Sequence, residues 1–366
     1  MVNDADGLPE TVTLPGGDQV TRRYTAAHTN ADITTSAAYA ETINRWLTFT
    51  SAGQIGRQLL GSGMEGQDFW YDGVGRLRSV IDVHYEGPSN PCEGTPPPII
   101  DENGNLCTYE GTWVTDATTT FAYDSAGNRR DLGGEYTTGN RITDFDGCTY
   151  QTDFDGNVTQ RACASETATF TWSAESRLAS VTVNGQTTTF DYNAAGRLVR
   201  KTTGGVVRHF LWDGDNPLAE LDGAGTGKIA EYSYYPGLDQ PHALIVGTTK
   251  YFAHRDGMGN VIALTDQAQT VKRTYTYSAW GKNTGGTDHV GFGGADRARF
   301  KGALWMGEET ELYYMRARWY EPKTGRFLSE DPIGLEGGIN PLLYAGNDPV
   351  NHRDPTGLYC VVESFK

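Results

Sequence analysis

The sequence stretches YDGVGRL (71–77), YDSAGNR (123–129), WSAESRL (172–178) and YNAAGRL (192–198), with the shortened FDGNV (154–158), repeat one pattern. Each starts with an aromatic residue, followed by a polar residue, small residues, a Gly in most copies, and then Arg or Asn before an apolar residue. The last two copies start about twenty residues apart, and internal repetition at such a period indicates a repeat architecture.

Each copy predicts the turn of a β-hairpin. The aromatic residue is expected to end one strand on the buried face, while Asp or Asn caps the turn and Gly takes the positive φ angle. The Arg then faces solvent, and the final apolar residue returns to the core. The stretches TATFTW (167–172) and QTTTFDY (186–192) have the matching alternation of a strand.

The composition favours an all-β chain. Among 366 residues there are 46 Gly, 20 Tyr and 8 Trp, and such mixtures of aromatic and turn-forming residues are typical of short strands and tight turns. The formal net charge of −16 predicts a solvated acidic exterior and no nucleic-acid partner. No apolar run approaches the roughly 20 residues of a membrane span.

Four of the five cysteines form two pairs with a separation of fifteen positions: Cys92 with Cys107, and Cys148 with Cys163. Neither pair has CxxC spacing and only His84 lies near, so a zinc site is not favoured. Two disulfides that each staple a hairpin are preferred to free buried cysteines, and they favour an exported protein. Spacing alone leaves all three pairings of four cysteines open.

Two segments depart from the repeat pattern. Residues 88–108 contain three consecutive prolines at 96–98 and are predicted to form an insertion loop. The first seven residues, MVNDADG, have neither a basic nor an apolar stretch, so no signal peptide is visible.

Longer motifs lie downstream: YFAHRDGMGNVIALTD (251–266), YTYSAWG (275–281) and ELYYMRARWYEPKTGRFLS (311–329). Together with the repeats, they resemble the YD-repeat proteins, which include Rhs proteins, the B and C components of insecticidal toxin complexes, and teneurins. Ser278 stands where that family usually has Asp. The resemblance is weak over residues 1–200 and strong from about 250 to 358.

The resemblance implies an all-β YD-repeat hairpin array that spirals into part of a hollow shell. It implies a shell segment at 1–298, an inward-turning plug and self-cleavage module at 299–358, and a remnant of a variable cargo region at 359–366. The implied partners are the chain's own C-terminal toxin domain and a delivery or secretion apparatus, with an exported or cell-surface location. Eight residues cannot fold alone, so the toxin domain is expected to be missing here.

Two related pentapeptides, DPIGL (331–335) and DPTGL (354–358), lie 23 positions apart. Taken alone they predict only turns. The resemblance implies that Asp331 and Asp354 are the carboxylates of an aspartic autoprotease that cuts the bond between Leu358 and Tyr359 once. Such chemistry needs one ionised and one protonated carboxyl group, and no metal or cofactor.

Three further residues are candidates near this site. Arg353 could hold a carboxylate or an oxyanion, or be an ordinary surface residue. Arg326 could give similar support, although a structural salt bridge is the preferred interpretation. His254 is expected to be packed or hydrogen-bonded rather than catalytic. The alternative function is a non-catalytic structural or adhesive YD-repeat protein.

Overall fold

The computed structural model describes residues 2–3, 9–13, 19–24, 30–35, 45–50, 52, 54–60, 65–86 and 112–362. Within these residues the chain contains no α-helix. The chain divides into two compact units. The described residues of Met1–Thr120 and His254–Met258 form the first, and those of Phe121–Ala253 and Gly259–Glu363 form the second.

The first unit contains a nine-stranded sheet in which every strand pairs with its neighbour in sequence. The pairs are antiparallel, as expected for successive hairpins. The strands are β1 (Val2–Asn3), β2 (Pro9–Thr13), β3 (Gln19–Tyr24), β4 (Asn30–Thr35), β5 (Arg45–Phe49), β6 (Ile55–Leu60), β7 (Glu65–Tyr71), β8 (Leu77–Glu86) and β9 (Thr112–Thr120).

A fifteen-stranded sheet, again in chain order, forms most of the second unit. Its strands are β10 (Glu135–Tyr136), β11 (Ile142–Phe145), β12 (Cys148–Thr152), β13 (Val158–Ala162), β14 (Thr167–Trp172), β15 (Leu178–Val183), β16 (Gln186–Tyr192), β17 (Leu198–Thr203), β18 (Val206–Asp213), β19 (Asn216–Leu221), β20 (Lys228–Tyr234), β21 (Pro241–Val246), β22 (Thr249–Arg255), β23 (Val261–Thr265) and β24 (Val271–Thr274).

Short strands follow, in a two-stranded, a four-stranded and a second two-stranded sheet. They are β25 (Thr276–Tyr277) with β26 (Asn283–Gly285); β27 (Leu304–Trp305), β28 (Tyr313–Met315), β29 (Arg318–Glu321) and β30 (Arg326–Phe327); and β31 (His352–Arg353) with β32 (Val361–Val362). Short 3-10 turns occur at Asp131–Gly133, Phe300–Gly302, Gly334–Gly337 and Ala345–Asn347. The predicted all-β array of antiparallel hairpins is therefore confirmed.

The repeat turn has the predicted chemistry, as the copy at 192–198 shows. The Asn193 side-chain oxygen accepts the backbone N–H groups of Ala195 and Arg197, each at 3.0 Å. Gly196 has a φ of +75°, which explains the preference for glycine at this position. Leu198 begins the next strand and is fully buried.

The aromatic residues of the copies at 172–178 and 192–198 also link neighbouring repeats. The Tyr192 hydroxyl donates to the Leu178 carbonyl at 2.8 Å, and the Trp172 indole N–H donates to the Val158 carbonyl at 2.8 Å. Each acceptor belongs to the apolar residue that ends the preceding turn. Tyr192 is partly buried and packs against the core of the sheet, while Arg177 of the preceding copy lies over its ring.

The predicted alignment of the short copy at 154–158 is wrong by two residues, since Asp155 was expected to cap the turn. Asp153 caps this turn, because its Oδ1 accepts the N–H groups of Asp155 at 3.0 Å and Asn157 at 2.9 Å. Phe154 therefore occupies a turn position and is fully exposed, instead of ending a strand on the buried face. The final Val158 is buried as predicted.

Arg129 departs from the repeat pattern because it stands where other copies have a buried Leu. It is itself buried, and its guanidinium lies 5.1 Å from the ring centre of Phe121, 4.9 Å from that of Phe145 and 4.8 Å from that of Trp280. An ion pair with Asp131 compensates its charge. Flat aromatic faces around a paired guanidinium make this substitution tolerable in a core position.

One of the two predicted disulfides is confirmed. Cys148 and Cys163 are bonded across the β12–β13 hairpin, next to the facing residues Thr149 and Ala162. Closing a loop of this size contributes about 3 kcal/mol to stability. Cys92, Cys107 and the predicted insertion loop at 88–108 lie outside the described residues.

The C-terminal segment packs on one face of the fifteen-stranded sheet. Its apolar side chains share a core with Phe170, Phe190 and other residues of the sheet; they are Leu304, Met306, Leu312, Tyr314, Trp319 and Leu328. Glu321 of β29 binds the buried Arg161 of β13 at 2.5 Å and so fixes the segment electrostatically as well.

Candidate functional site

The two DPxGL pentapeptides form the same type of turn. The Gly334 N–H donates to the Asp331 carbonyl at 2.9 Å, and the Gly357 N–H donates to the Asp354 carbonyl at 3.4 Å. The glycines have φ angles of +61° and +69°, a conformation that disfavours other residues. The proline after each aspartate presets its own φ angle for the turn.

One guanidinium joins the two aspartates. Arg318 Nη2 lies 2.8 Å from Asp331 Oδ2 and 3.0 Å from Asp354 Oδ2. The sum of these distances, 5.8 Å, is the upper limit for the separation of the two oxygens. All three side chains are only 3% exposed, so the structure brings together the two carboxylates predicted from the sequence.

The charges of the cluster favour one proton shared between the carboxyl groups of Asp331 and Asp354. Burial raises the pKa of both carboxyl groups, Asp331 and Asp354, while Arg318 opposes part of that rise. Burial also lowers the pKa of Arg318 itself. Two buried carboxylates against one cation leave one negative charge uncompensated, and protonation of one carboxyl removes it.

Arg318 is held in place at the start of β29 by further contacts. Its Nη1 donates to the Pro341 carbonyl at 2.8 Å, and its Nε donates to the Gly357 carbonyl. The guanidinium also lies 3.6 Å from the ring centre of Phe327. These contacts use the planar fork of arginine in several directions at once, which lysine cannot reproduce.

The residues just before Arg318 hold the second pentapeptide. Arg316 Nη1 donates to the Pro355 carbonyl, and the Ala317 N–H donates to the Thr356 carbonyl at 3.0 Å. With the bond from Arg318 to Gly357, three consecutive residues bind three consecutive carbonyls. The backbone leading to Leu358 is therefore fixed along residues 355–357.

Asp354 also contacts the bond predicted to be cut. Its Oδ1 accepts the N–H groups of Leu358 at 3.0 Å and Tyr359 at 3.1 Å, and the hydroxyl of Thr356 at 3.2 Å. The Tyr359 nitrogen is the atom that would leave as an amine. The Tyr359 residue is 52% exposed, so the chain leaves the buried cluster at this bond.

Asp331 uses its Oδ1 differently. That oxygen accepts the Ile333 N–H at 3.0 Å within its own turn. Its Oδ2 lies beneath Gly337, where an added Cβ would come within 2.5 Å of the oxygen. Asp331 is thus oriented by its own turn and covered by a glycine, leaving Oδ2 for Arg318.

The structure places the other predicted residues on different partners. Arg353 Nη1 donates to the Leu238 carbonyl at 2.8 Å. The salt bridge preferred for Arg326 is wrong, because its partners are the neutral oxygens Asn128 Oδ1 at 2.7 Å and the Asn140 carbonyl at 2.6 Å. Burial lowers the pKa of Arg326 to about 10. Arg318 is the residue of this cluster that the sequence interpretation missed. Its signal was the pair of arginines within the otherwise largely aromatic run ELYYMRARWY (311–320).

His254 is buried, and burial lowers its pKa to about 4. At neutral pH it is therefore uncharged, in keeping with a packed residue. In the part of the chain that the structure describes, no group of His, Cys, Asp and Glu has the arrangement of a metal site. Nor does any described segment form a helix long and apolar enough to cross a membrane.

The fold and the paired turns together define a class: a YD-repeat hairpin array with a packed C-terminal segment that carries two carboxylates on one arginine. The chain belongs to the family described as Teneurin YD-shell, whose model matches residues 67–337. The matched region includes Arg318 and Asp331.

Several curated relatives are named as toxins or nucleases. The tRNA3(Ser)-specific nuclease WapA of Bacillus spizizenii is 33% identical over 65% of this chain and 11% of its own length. The double-stranded DNA deaminase toxin A of Burkholderia cenocepacia is 30% identical over 81% of this chain and 23% of its own length. The chain thus spans less than a quarter of these relatives.

Solved structures show the same fold. A crystal structure of TcdB2-TccC3 without the hypervariable C-terminal region matches 98% of this chain and 19% of that chain, with a TM-score of 0.70 and 16% identity. A second crystal structure of TcdB2-TccC3 matches with a TM-score of 0.68. These structures show that the fold of this chain is that of a YD shell.

Proposed function

We propose that this chain is the shell segment and self-cleavage module of a toxin-carrying protein, and that it cuts its own Leu358–Tyr359 bond once by an aspartic-protease-like mechanism. The observation that carries the proposal is the Asp331–Arg318–Asp354 cluster, in which Asp354 also holds the Tyr359 amide. The cut frees a C-terminal effector, and an exported location follows from that role.

The contacts suggest a division of roles. In the uncut chain Asp354 Oδ1 accepts the Tyr359 N–H and so lies beside the nitrogen that leaves. Once water has added to the carbonyl carbon and freed the nitrogen lone pair, protonated Asp354 gives its proton to that nitrogen as the C–N bond breaks. Asp331, ionised, accepts a proton from the attacking water, whose oxygen bonds to the Leu358 carbonyl carbon. The products are a carboxyl group on Leu358 and an amine on Tyr359, so atoms and protons balance.

The arrangement supplies proximity without a binding step. The substrate bond is covalently tethered to its own acid, and the backbone of residues 355–357 is fixed by Arg316, Ala317 and Arg318. Such preorganisation can supply several kcal/mol of the activation free energy. Because the substrate is part of the chain, each molecule reacts once.

The experiment follows the intact chain after synthesis in a cell-free system, with denaturing mass measurement so that a bound octapeptide is not mistaken for uncut chain. Asp331→Asn and Asp354→Asn are each expected to slow cleavage at least about a thousandfold, as when a residue of a catalytic unit is removed. Asp155→Asn, at an exposed turn, is the matched control and should cut normally.

Two results would favour the alternative of a non-catalytic structural or adhesive protein. One is a wild-type chain that stays uncut through Lys366. The other is cleavage that continues unchanged in both Asn variants, since the carboxylates would then have no role.

A further inference from the structure

The chain on either side of the predicted cut forms a small antiparallel ladder. In it, β31 and β32 pair so that His352 faces Val362 and Arg353 faces Val361. The first strand directly precedes Asp354, and the second begins three residues after Leu358. Asp354 and the bond to be cut therefore lie in one closed loop, residues 354–360.

The two sides of the bond are held by different kinds of contact. Upstream, the guanidinium groups of Arg316 and Arg318 bind backbone carbonyls of the second pentapeptide. Downstream, beyond the Tyr359 amide on Asp354, the described contacts are the main-chain pairing of β32 with β31. Main-chain pairing tolerates most side chains, because every residue except proline offers the same N–H and C=O groups.

We infer that the chain downstream of the cut is recognised as a β-strand added to His352–Arg353. This ladder positions the bond, and it dissociates once the bond is cut. This inference rests on the proposed function. It describes the substrate on the leaving side as an extended segment of almost any sequence, without proline at whichever of positions 361 and 362 donates to the ladder.

The release follows from the size of the ladder. While the bond is intact, a seven-residue loop keeps the two strands together at a high effective concentration. Cutting Leu358–Tyr359 opens the loop, so the pairing becomes one between separate chains. A two-stranded ladder of two residues is too small to persist in water on its own. Cleavage therefore weakens the binding of the released peptide to the remainder of the chain.

Proline and threonine substitutions test the recognition step. In an antiparallel pair, facing residues alternate between hydrogen-bonded and non-hydrogen-bonded pairs, so either Val361→Pro or Val362→Pro removes a ladder donor. The slower of these two variants is expected to cut at least about tenfold more slowly than wild type. Val361→Thr and Val362→Thr retain the N–H groups and should cut within about twofold of wild type.

Truncation gives an independent test that does not depend on proline. A chain ending at Cys360 lacks β32, whereas one ending at Glu363 keeps it. The shorter chain should cut at least about tenfold more slowly than the longer one. After cleavage of the full chain, gel filtration under native conditions should separate the released peptide from the remainder.

The outcomes separate the inference from the proposed function. If the wild type is cut after Leu358 but both proline variants and the chain ending at Cys360 are cut at the wild-type rate, the inference is overturned and the proposed function stands. If the released peptide co-elutes with the remainder, the release step is overturned. A wild-type chain that is never cut overturns both.

Discussion

The turns at 331–335 and 354–358 have nearly the same sequence and the same backbone hydrogen bond, but their aspartates serve different neighbours. Asp331 Oδ1 caps its own turn by accepting the Ile333 N–H. Asp354 Oδ1 instead reaches forward to the N–H groups of Leu358 and Tyr359. Two copies of one motif thus differ in whether the aspartate touches the peptide bond that follows.

The difference comes from what each turn leads into. After the first, the chain enters the 3-10 turn Gly334–Gly337, and Leu335 is 78% exposed. After the second, Leu358 is half-buried and the chain continues toward β32. The motif alone therefore does not determine what its aspartate contacts, because the backbone that follows decides whether the next peptide bond reaches the carboxylate.

The largest expected effect on stability comes from the arginine that the two turns share. Arg318→Met leaves two buried carboxylates without their cation, so we expect a loss of about 3–5 kcal/mol in the free energy of unfolding near neutral pH. Cleavage should slow about a hundredfold or more, because the carboxylates lose their common anchor. Urea unfolding and denaturing mass measurement report the two effects.

The matched control is Arg200→Met, which removes an arginine paired with Asp191 at the surface, where both side chains are nearly half exposed. Little change in stability or cleavage is expected there. Unchanged unfolding of Arg318→Met in urea would contradict the role assigned to the shared guanidinium.

The next expected effect is the dependence of the cleavage rate on pH. Burial raises the pKa of both aspartates, and cleavage needs one of the two protonated. Above the higher pKa of the pair, the cleavage rate should fall about tenfold per pH unit. Below the lower pKa of the pair, where both groups are protonated, the rate should also fall as the pH decreases. Rates measured from pH 4 to 9 test this, and a rate still increasing at pH 9 would rule out a carboxylic acid donor.

The same pKa shifts have a consequence for stability. A carboxyl whose pKa is higher in the folded than in the unfolded protein stabilises the fold at low pH. That contribution is lost as the pH rises through the folded-state pKa. The free energy of unfolding should therefore decrease across this range in the wild type, and decrease less in Asp331→Asn.

The smallest expected effect on the cleavage rate comes from a substitution beside Asp331 of the first turn. Gly337→Ala places a Cβ 2.5 Å from Asp331 Oδ2, so the carboxylate must move, and we expect cleavage to slow about tenfold. Gly139→Ala is the control, since its Cβ would meet only ordinary contacts at 3.8 and 3.9 Å. Equal cleavage rates in the two variants would mean that the position of Asp331 is not critical.

Much of the fold could be predicted because its determinants are local. Turn capping by Asn193, the positive φ of Gly196 and the burial of Leu198 depend on residues within one heptapeptide. The misaligned copy shows the limit of this reasoning. Phe154 is an aromatic residue followed by Asp, yet Asp153 caps the turn, and sequence alone does not rank the two neighbouring aspartates.

The site was predictable only in part, because its geometry is not local. The two aspartates were found through their repeated motif. Their common partner Arg318 lies 13 and 36 residues away in sequence, and only the packing of β29 against both turns brings it to them. Arg353 was the nearer candidate in sequence, but it binds the Leu238 carbonyl.

The central claim is that the second turn, and not the first, presents the bond to be cut. The most direct test is the denaturing mass of the wild-type chain together with the N-terminal sequence of any released peptide. We expect a chain ending at Leu358, a peptide beginning at Tyr359, and no product ending at Leu335. A chain intact to Lys366, or a cut after Leu335, would contradict it.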